Sequence, residues 1–243
     1  MRKTLIIGAN GKIGRQLCEK AQAAGEPVVA MIRSTEQQSW FHERSIPTVL
    51  GDLEGEMRQA FYGCDQAVFV AGSGPNTGPD KTLTIDLHGA MRTAELAAEF
   101  GLSRVIQVSS IRSETPLAGP AAMRPYFAAK KAADLCLAES GLRHVIVKPG
   151  RLTNESGSGK LTQNADDSDE MQVSRANVAE FLLGLIKARE IGGRHRKAPI
   201  FTLFDGDTPV SGLLNATSSL RSRSGSHKVL CSSLRLGICP GTG

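Results

Sequence analysis

Five short apolar runs recur up to Gly150: TLIIG (4–8), PVVAMI (27–32), QAVFVA (66–71), RVIQVS (104–109) and HVIVKP (144–149). Between them lie segments rich in Ala, Leu, Glu and Lys, at 12–25, 80–101 and 124–141. Near-continuous apolar strands need cover on both faces, which a sheet obtains when helices cross over it between parallel strands. The alternation therefore predicts an α/β fold with a doubly wound parallel sheet. Each helical segment stops at a glycine, Gly25, Gly101 or Gly141, the residue best suited to a helix C-terminus. A shorter strand at Thr48–Leu50 fits between the second and fourth runs. Beyond Gly150 the pattern loosens into a Ser/Gly/Asp-rich stretch, after which Ser174 caps a helix over Arg175–Arg189 and PIFTLF (199–204) forms a last strand.

The first run ends in GANGKIG (8–14). Glycines at i, i+3 and i+6 between a strand and a helix free the backbone to approach a ligand, and the heptad contains no nucleophile or metal ligand. A helix N-terminus carries unsatisfied N–H groups and partial positive charge, so this loop predicts a cradle for a dinucleotide pyrophosphate. At the end of the second strand an acid would bond a ribose 2′-hydroxyl, whereas an arginine would accept a 2′-phosphate. Here Arg33 follows Met31-Ile32 with no acid until Glu36, and Lys12 and Arg15 add positive charge near the loop. NADP(H) is therefore expected over NAD(H).

Tyr126-Phe127-Ala128-Ala129-Lys130 places a tyrosine and a lysine at i and i+4, on one face of a helix. An ammonium beside a phenol favours the phenolate, which lets a group with an ordinary pKa near ~10 exchange protons with a substrate alcohol or carbonyl around neutrality.

Taken together, these motifs resemble the atypical short-chain dehydrogenase/reductases, the NAD(P)H-binding group related to extended sugar epimerases and NmrA-like proteins. The likeness runs from Lys3 to about Pro209. It is carried by GANGKIG, Arg33, Gly51-Asp52-Leu53, GCDQAVFVAGSG (63–74), DKTLTIDLHGA (80–90), VSS (108–110), PYFAAKKAAD (125–134), VKPGRLT (147–153), SRANVAE (174–180) and FDGDTP (204–209). The resemblance implies a Rossmann-type domain over 1–210, with a small substrate-binding region after about residue 150. Gly8, Gly11 and Gly14 would form the pyrophosphate loop, Asn10, Gly11, Lys12 and Ile13 would supply loop contacts, and Arg33 would take the adenosine phosphate. Asp52 and Leu53 would border the adenine, and Ala71 and Gly72 would line the cofactor. Tyr126 would be the acid/base, with Lys130 on the nicotinamide ribose lowering its pKa. Ser110 or Ser113 would bond the substrate oxygen, with Ser110 preferred, and Pro149 and Gly150 would pack near the carboxamide. Where the extended enzymes carry a structural asparagine this chain has Asp86, an altered catalytic position. The implied activity is that of an oxidoreductase or epimerase on a hydroxyl or carbonyl substrate. The alternative is a non-catalytic NADP(H)-sensing protein.

The remaining features narrow the class. Net charge is +5, but the bases Arg221, Arg223, Lys228 and Arg235 meet no acid beyond Thr208, so the rest of the chain is nearly neutral. With 5% aromatics and no helix-turn-helix pattern, no nucleic-acid partner is expected. No apolar span suits a membrane, and the Met-Arg-Lys start leads straight into a strand with no cleavage site, so a cytoplasmic protein with a small-molecule substrate is expected. Five cysteines with no C-x-x-C pairing predict buried free thiols and no zinc site. Trp40 and Phe41 are expected to pack a helix onto the sheet, His88 to sit satisfied on a helix face, and Asp166–Glu170 to form a solvated loop over the substrate cleft. From Ser211 the chain turns Ser/Gly-rich and loses its acids, which predicts a loosely attached tail over 211–243 where the family continues with a short helix. A displaced reading frame or an exogenous end would account for that change.

Overall fold

The computed structural model describes residues 3–74, 76–167 and 171–216. Its main sheet has nine strands: β1 (Lys3–Ile7), β2 (Val28–Ile32), β3 (Thr48–Leu50), β4 (Cys64–Phe69), β5 (Arg104–Val108), β6 (His144–Pro149), β8 (Lys160–Thr162), β10 (Ile200–Asp205) and β11 (Thr208–Pro209). A separate parallel pair joins β7 (Arg151–Thr153) to β9 (Gln172–Ser174). Read across the sheet, the order is β3-β2-β1-β4-β5-β6-β10-β8-β11, parallel up to β10 and antiparallel thereafter. This is the Rossmann arrangement expected from the alternating runs. The order reverses between β1 and β4, and the crevice at the carboxyl ends of those two strands is where an open α/β sheet binds ligands.

Helices cover both faces: α1 (Lys12–Ala23) and α6 (Arg175–Lys187) on one, α4 (Gly89–Glu99) and α5 (Arg124–Glu139) on the other. The alternation of a strand divides each apolar run between two cores. Ile6, Val145 and Val147 point to the core with Leu17, Phe181 and Leu185, while Leu5, Ile7 and Ile146 point to the core with Phe61, Ala97 and Leu137. A short helix α2 (Gln38–His42) places Phe41 wholly inside and Trp40 partly so, as expected. At Gly25, the predicted stop of α1, φ is +70°, a conformation that suits glycine. Ser174 caps α6 through its side chain, which accepts from Asn177 N. The buried Arg104 of β5 satisfies the other end of α6, donating to Leu185 O at 2.7 Å, Ala188 O at 2.9 Å and Ile191 O at 2.6 Å.

Three expectations are corrected. The stretch after Gly150 is not wholly irregular, since β7, β8 and β9 lie within it. These strands are only three residues long, and their pairing with distant partners, not local pattern, creates them. The segment expected as one helix over 80–101 begins as α3 (Pro79–Lys81), widens into a π-helical turn at Thr82–His88 and continues as α4. The tail expected from Ser211 starts with order instead. Residues 210–216 are helical, with Val210 and Leu214 buried in the core that also holds α6. The remainder of that tail, with Cys231 and Cys239, lies outside the described residues, as does part of the Asp166–Glu170 loop.

Cys18 is buried and Cys64 and Cys136 half-buried, all three free, and burial pushes the Cys18 thiol up to about 12 and Cys64 up to about 11. The Cys18 and Cys64 thiols therefore stay protonated and unreactive at neutrality. His88 is exposed. Among the described residues no helix is long and apolar enough to cross a membrane, and no His/Cys/Asp/Glu cluster could hold a metal ion.

Candidate functional site

The glycine loop lies at the point of strand reversal. Gly8 has φ +85°, and a Cβ built on it would stand 2.6 Å from both Cα and N of Ala71 at the end of β4. A Cβ on Gly14 would run into Gly8 O, so the start of α1 packs directly on the loop. Gly11 is the N-cap of α1. It offers no side-chain cap, the first turn has no acidic residue, and Lys12 is exposed at its start while Ile13 is buried. A twelve-residue helix with uncapped N–H groups at the switch point, reached by a backbone stripped of side chains, fits a dinucleotide pyrophosphate. Asn10 and Arg15 are tied together here: Arg15 Nε and Nη2 both donate to Asn10 Oδ1, at 2.9 and 2.6 Å. The Arg15 guanidinium also lies 4.6 Å from the Trp40 ring centroid, with Arg44 at 4.2 Å from the same ring. Arg15 thus braces the loop, and Trp40 has a part in that bracing which the sequence did not suggest.

At the adenosine end, Arg33 is exposed just past β2, and its backbone N–H donates to Gln37 Oε1. Among the described residues its guanidinium makes no ion pair or hydrogen bond, although its charge reaches Glu54 and Lys81, which pair with each other at 2.7 Å. Asp52 closes a turn by accepting from Glu54 N, and Leu53 is buried against Gly89. Arg92 of α4 fixes this loop by donating to Leu53 O and Gly55 O.

The Tyr126–Lys130 pair lies deeper in the crevice. Lys130 is 3% exposed, and its Nζ reaches Val108 O at 3.2 Å, Ala71 O at 3.4 Å and Asp86 Oδ1 at 3.2 Å. It therefore joins the ends of β4 and β5 to the π-helical turn. Asp86 is fully buried, and its Oδ2 accepts from Ser73 N at 3.0 Å, while Oδ1 faces the Lys130 ammonium. Gly72 lies beside it: a Cβ there would sit 3.3 Å from Asp86 Oδ1. A π turn spreads one extra residue over the helix repeat and frequently marks a functional site. In this turn both Thr82 and Asp86 are carried inward.

Tyr126 is half-buried, with Lys130 Nζ 5.8 Å from its ring centroid, and no described residue hydrogen-bonds its hydroxyl. Lys130 does lower the Tyr126 pKa, as expected, but its effect is outweighed. Burial raises the Tyr126 phenol above its ordinary value; the Lys130 charge works against this, and Asp86 and Asp134 reinforce it. Burial likewise opposes the Lys130 charge, but Tyr126, Asp86 and Asp134 together outweigh it and raise the lysine.

Asp134, one helical turn beyond Lys130, was not anticipated. Buried at 6% exposure, it accepts from Gln107 Nε2 at 2.8 Å, Ser109 Oγ at 2.7 Å and Ser113 Oγ at 3.2 Å, and pairs with Lys148 Nζ at 3.1 Å. Lys148, itself 4% exposed, also pairs with Glu114. Two signals pointed there: the i+8 spacing from Tyr126 on one helix stripe, and a lysine inside the otherwise apolar HVIVKP. Ser113 is thereby committed to the network. Ser110, at the mouth and 8% exposed, makes no side-chain hydrogen bond among the described residues. Pro149, buried at the end of β6 opposite Leu203, leads into Gly150.

A Rossmann sheet with an uncapped helix at its switch point and a buried lysine beside a tyrosine defines a dinucleotide-binding α/β protein. Residues 8–189 match a family model described as NAD(P)H-binding. The chain belongs to that NAD(P)H-binding family, with the atypical short-chain dehydrogenase/reductase fold. It is 38% identical over 216 residues to an uncharacterized sugar epimerase, YhfK, of Bacillus subtilis, covering 87% of this chain and 98% of that one. It is 30% identical over 198 residues to a UPF0659 protein, YMR090W, of Saccharomyces cerevisiae, covering 74% and 85%. A solved structure from Bacillus halodurans, named for NAD-dependent epimerase/dehydratase activity, superposes with a TM-score of 0.82 at 38% identity, covering 89% of this chain and 100% of the other.

Proposed function

We propose that the chain is an NADP(H)-dependent oxidoreductase or epimerase acting on a hydroxyl or carbonyl substrate, with Tyr126 as acid/base and Lys130 beside it. The observation that carries this reading is the buried Lys130 ammonium one helical turn from a tyrosine whose hydroxyl has no hydrogen-bond partner among the described residues. The names of the similar Bacillus proteins favour the same class.

When bound, the nicotinamide supplies or accepts the hydride, chemistry that belongs to the cofactor. The loop of Gly8, Gly11 and Gly14 with the α1 N-terminus would hold the pyrophosphate, and Arg33 would take a 2′-phosphate through charge-assisted hydrogen bonds. Asp52 and Leu53 would border the adenine, and Ala71, Gly72 and Pro149 would line the cofactor at the strand ends. Ser110 would orient the substrate oxygen toward Tyr126, since Ser109 and Ser113 are held by Asp134. Tyr126 then gives a proton to that oxygen or takes one from it.

Replacing Tyr126 by Phe tests the reading with a panel of paired alcohols and ketones and of sugar nucleotides. Turnover is expected to disappear while NADPH binding, followed by nicotinamide fluorescence, persists. Turnover unchanged in Tyr126→Phe refutes the role of Tyr126. The second reading, a nucleotide sensor without turnover, is favoured by the Asp86 ion pair that already engages Lys130. It predicts NADPH binding with no conversion of any compound in the panel by the wild type.

A further inference from the structure

Resting on the oxidoreductase reading, we propose that Asp86 is an electrostatic positioning residue that anchors the Lys130 ammonium and keeps the Tyr126 hydroxyl protonated. The site then works on a carbonyl as a proton donor, in the reductive direction, and not as an epimerase.

The geometry builds the carboxylate into a fixed place. Ser73 N holds Oδ2 at 3.0 Å, and Oδ1 faces Lys130 Nζ at 3.2 Å. The π-helical turn carries the side chain inward, and Gly72 leaves room for it. A buried ammonium matched to a buried carboxylate has its charge balanced within the protein. An asparagine at this position would leave that charge to act on the phenol.

The other charged groups around Tyr126 lead to the same conclusion. Asp134 projects from the same helix face, and its nearest cation, Lys148, is shared with Glu114 from the loop after β5. Lys130 and Lys148 therefore meet Asp86 and Asp134 one for one, and Glu114 is opposed by Lys131 as well as Lys148, so a phenolate at Tyr126 would be desolvated without net positive compensation. The raised phenol pKa, caused first by burial and reinforced by Asp86 and Asp134, agrees with this arrangement.

The resting protonation state decides which step the site is poised to begin. An epimerase or alcohol dehydrogenase must first remove a proton from a substrate hydroxyl, which needs a phenolate. A carbonyl reductase needs a phenol. In the reduction, the carbonyl carbon gains a hydride from reduced nicotinamide as co-reactant, and the C=O π pair moves to oxygen. That oxygen takes the Tyr126 proton, leaving an alcohol, oxidised nicotinamide and a phenolate that recovers a proton from water.

With two tyrosines in the chain, one of them Tyr62 at 65% exposure, the ultraviolet tyrosinate band can be titrated in the cofactor-free full chain, with circular dichroism following the fold at each pH. Tyr126→Phe assigns the transitions. The Tyr126 transition is expected above the ordinary tyrosine value of ~10. Asp86→Asn is expected to move the Tyr126 transition down by about one pH unit, a tenfold gain in phenolate at a given pH. Asp86→Ser carries the same expectation should Asp86→Asn not fold. If wild-type Tyr126 ionises at or below Tyr62, or if removing the carboxylate leaves its transition in place, the proposal is overturned. Faster oxidation of an alcohol than reduction of its ketone by the wild type at neutral pH overturns the direction. The titration uses neither cofactor nor substrate, so its failure is distinct from failure of NADPH binding or of Tyr126-dependent turnover.

Discussion

A Cβ added to Gly8 would lie 2.6 Å from both Cα and N of Ala71, so the β1 loop and the end of β4 touch backbone to backbone. The same residue has φ +85°. Gly8→Ala therefore combines left-handed strain of about 1–3 kcal/mol with a clash that pushes the loop away from the crevice. A lower melting temperature and loss of NADPH fluorescence enhancement are expected. Gly25→Ala is the control, because φ there is +70° but a Cβ would meet nothing within 4 Å. It should show the strain alone, with binding intact.

The exposed Arg33 guanidinium has no hydrogen-bond or ion-pair partner among the described residues, so its removal takes little from the fold. If it binds a 2′-phosphate, Arg33→Ala loses charge-assisted hydrogen bonds worth about 1.5–3 kcal/mol, or roughly ten- to hundredfold in NADPH affinity. NADH affinity and the melting temperature should not move. Equal loss for both cofactors in parallel titrations would show that Arg33 does not select between them.

The main sheet was legible because β1, β2, β4, β5 and β6 are each a run of apolar side chains divided between two cores, a pattern that local sequence states directly. GANGKIG and the Tyr126–Lys130 spacing were legible for a similar reason, since a short motif contains all the geometry it needs. What escaped was tertiary. The strands β7, β8 and β9 exist only through partners elsewhere, and the π turn at Thr82–His88 differs too little from an α-helix in period to be seen. Asp134 and Lys148 lie on different elements, so no single stretch shows the pair. Only the packing of α5 on β5 and β6 brings them to 3.1 Å.

That buried pair predicts a large mutational effect. Asp134→Ala leaves the Lys148 ammonium at 4% exposure with the exposed Glu114 alone, and removes the acceptor of Gln107, Ser109 and Ser113. Breaking a buried pair on one side typically costs about 3–5 kcal/mol, whereas exchanging both partners for apolar residues is often nearly neutral. Urea unfolding should show a strongly lowered midpoint for Asp134→Ala and substantial recovery in the double variant Asp134→Leu/Lys148→Met. No recovery would mean that the hydrogen bonds to Gln107, Ser109 and Ser113 carry the stability and the ion pair does not.

His144 predicts a pH dependence independent of the site. It opens β6 at 1% exposure, its Nδ1 lies 2.9 Å from Leu142 O, and its backbone exchanges hydrogen bonds with Gly193. Burial lowers its pKa; the bond to Leu142 O opposes this, with His195 adding to the lowering and Asp134 opposing it. The folded chain therefore holds the neutral ring more firmly than the unfolded chain does. A group depressed in this way contributes stability that is fully present above its unfolded value, about 6.5, and is lost as pH falls through its folded value. The melting temperature should accordingly decline on acidification from about 6.5 downward, before ordinary carboxylates near ~4 begin to titrate. In His144→Gln, which keeps a polar side chain but cannot take up a proton, the decline in that window should flatten. A wild-type curve with no slope there, or one that His144→Gln leaves unchanged, would mean that the ring gains its proton without opposing the fold.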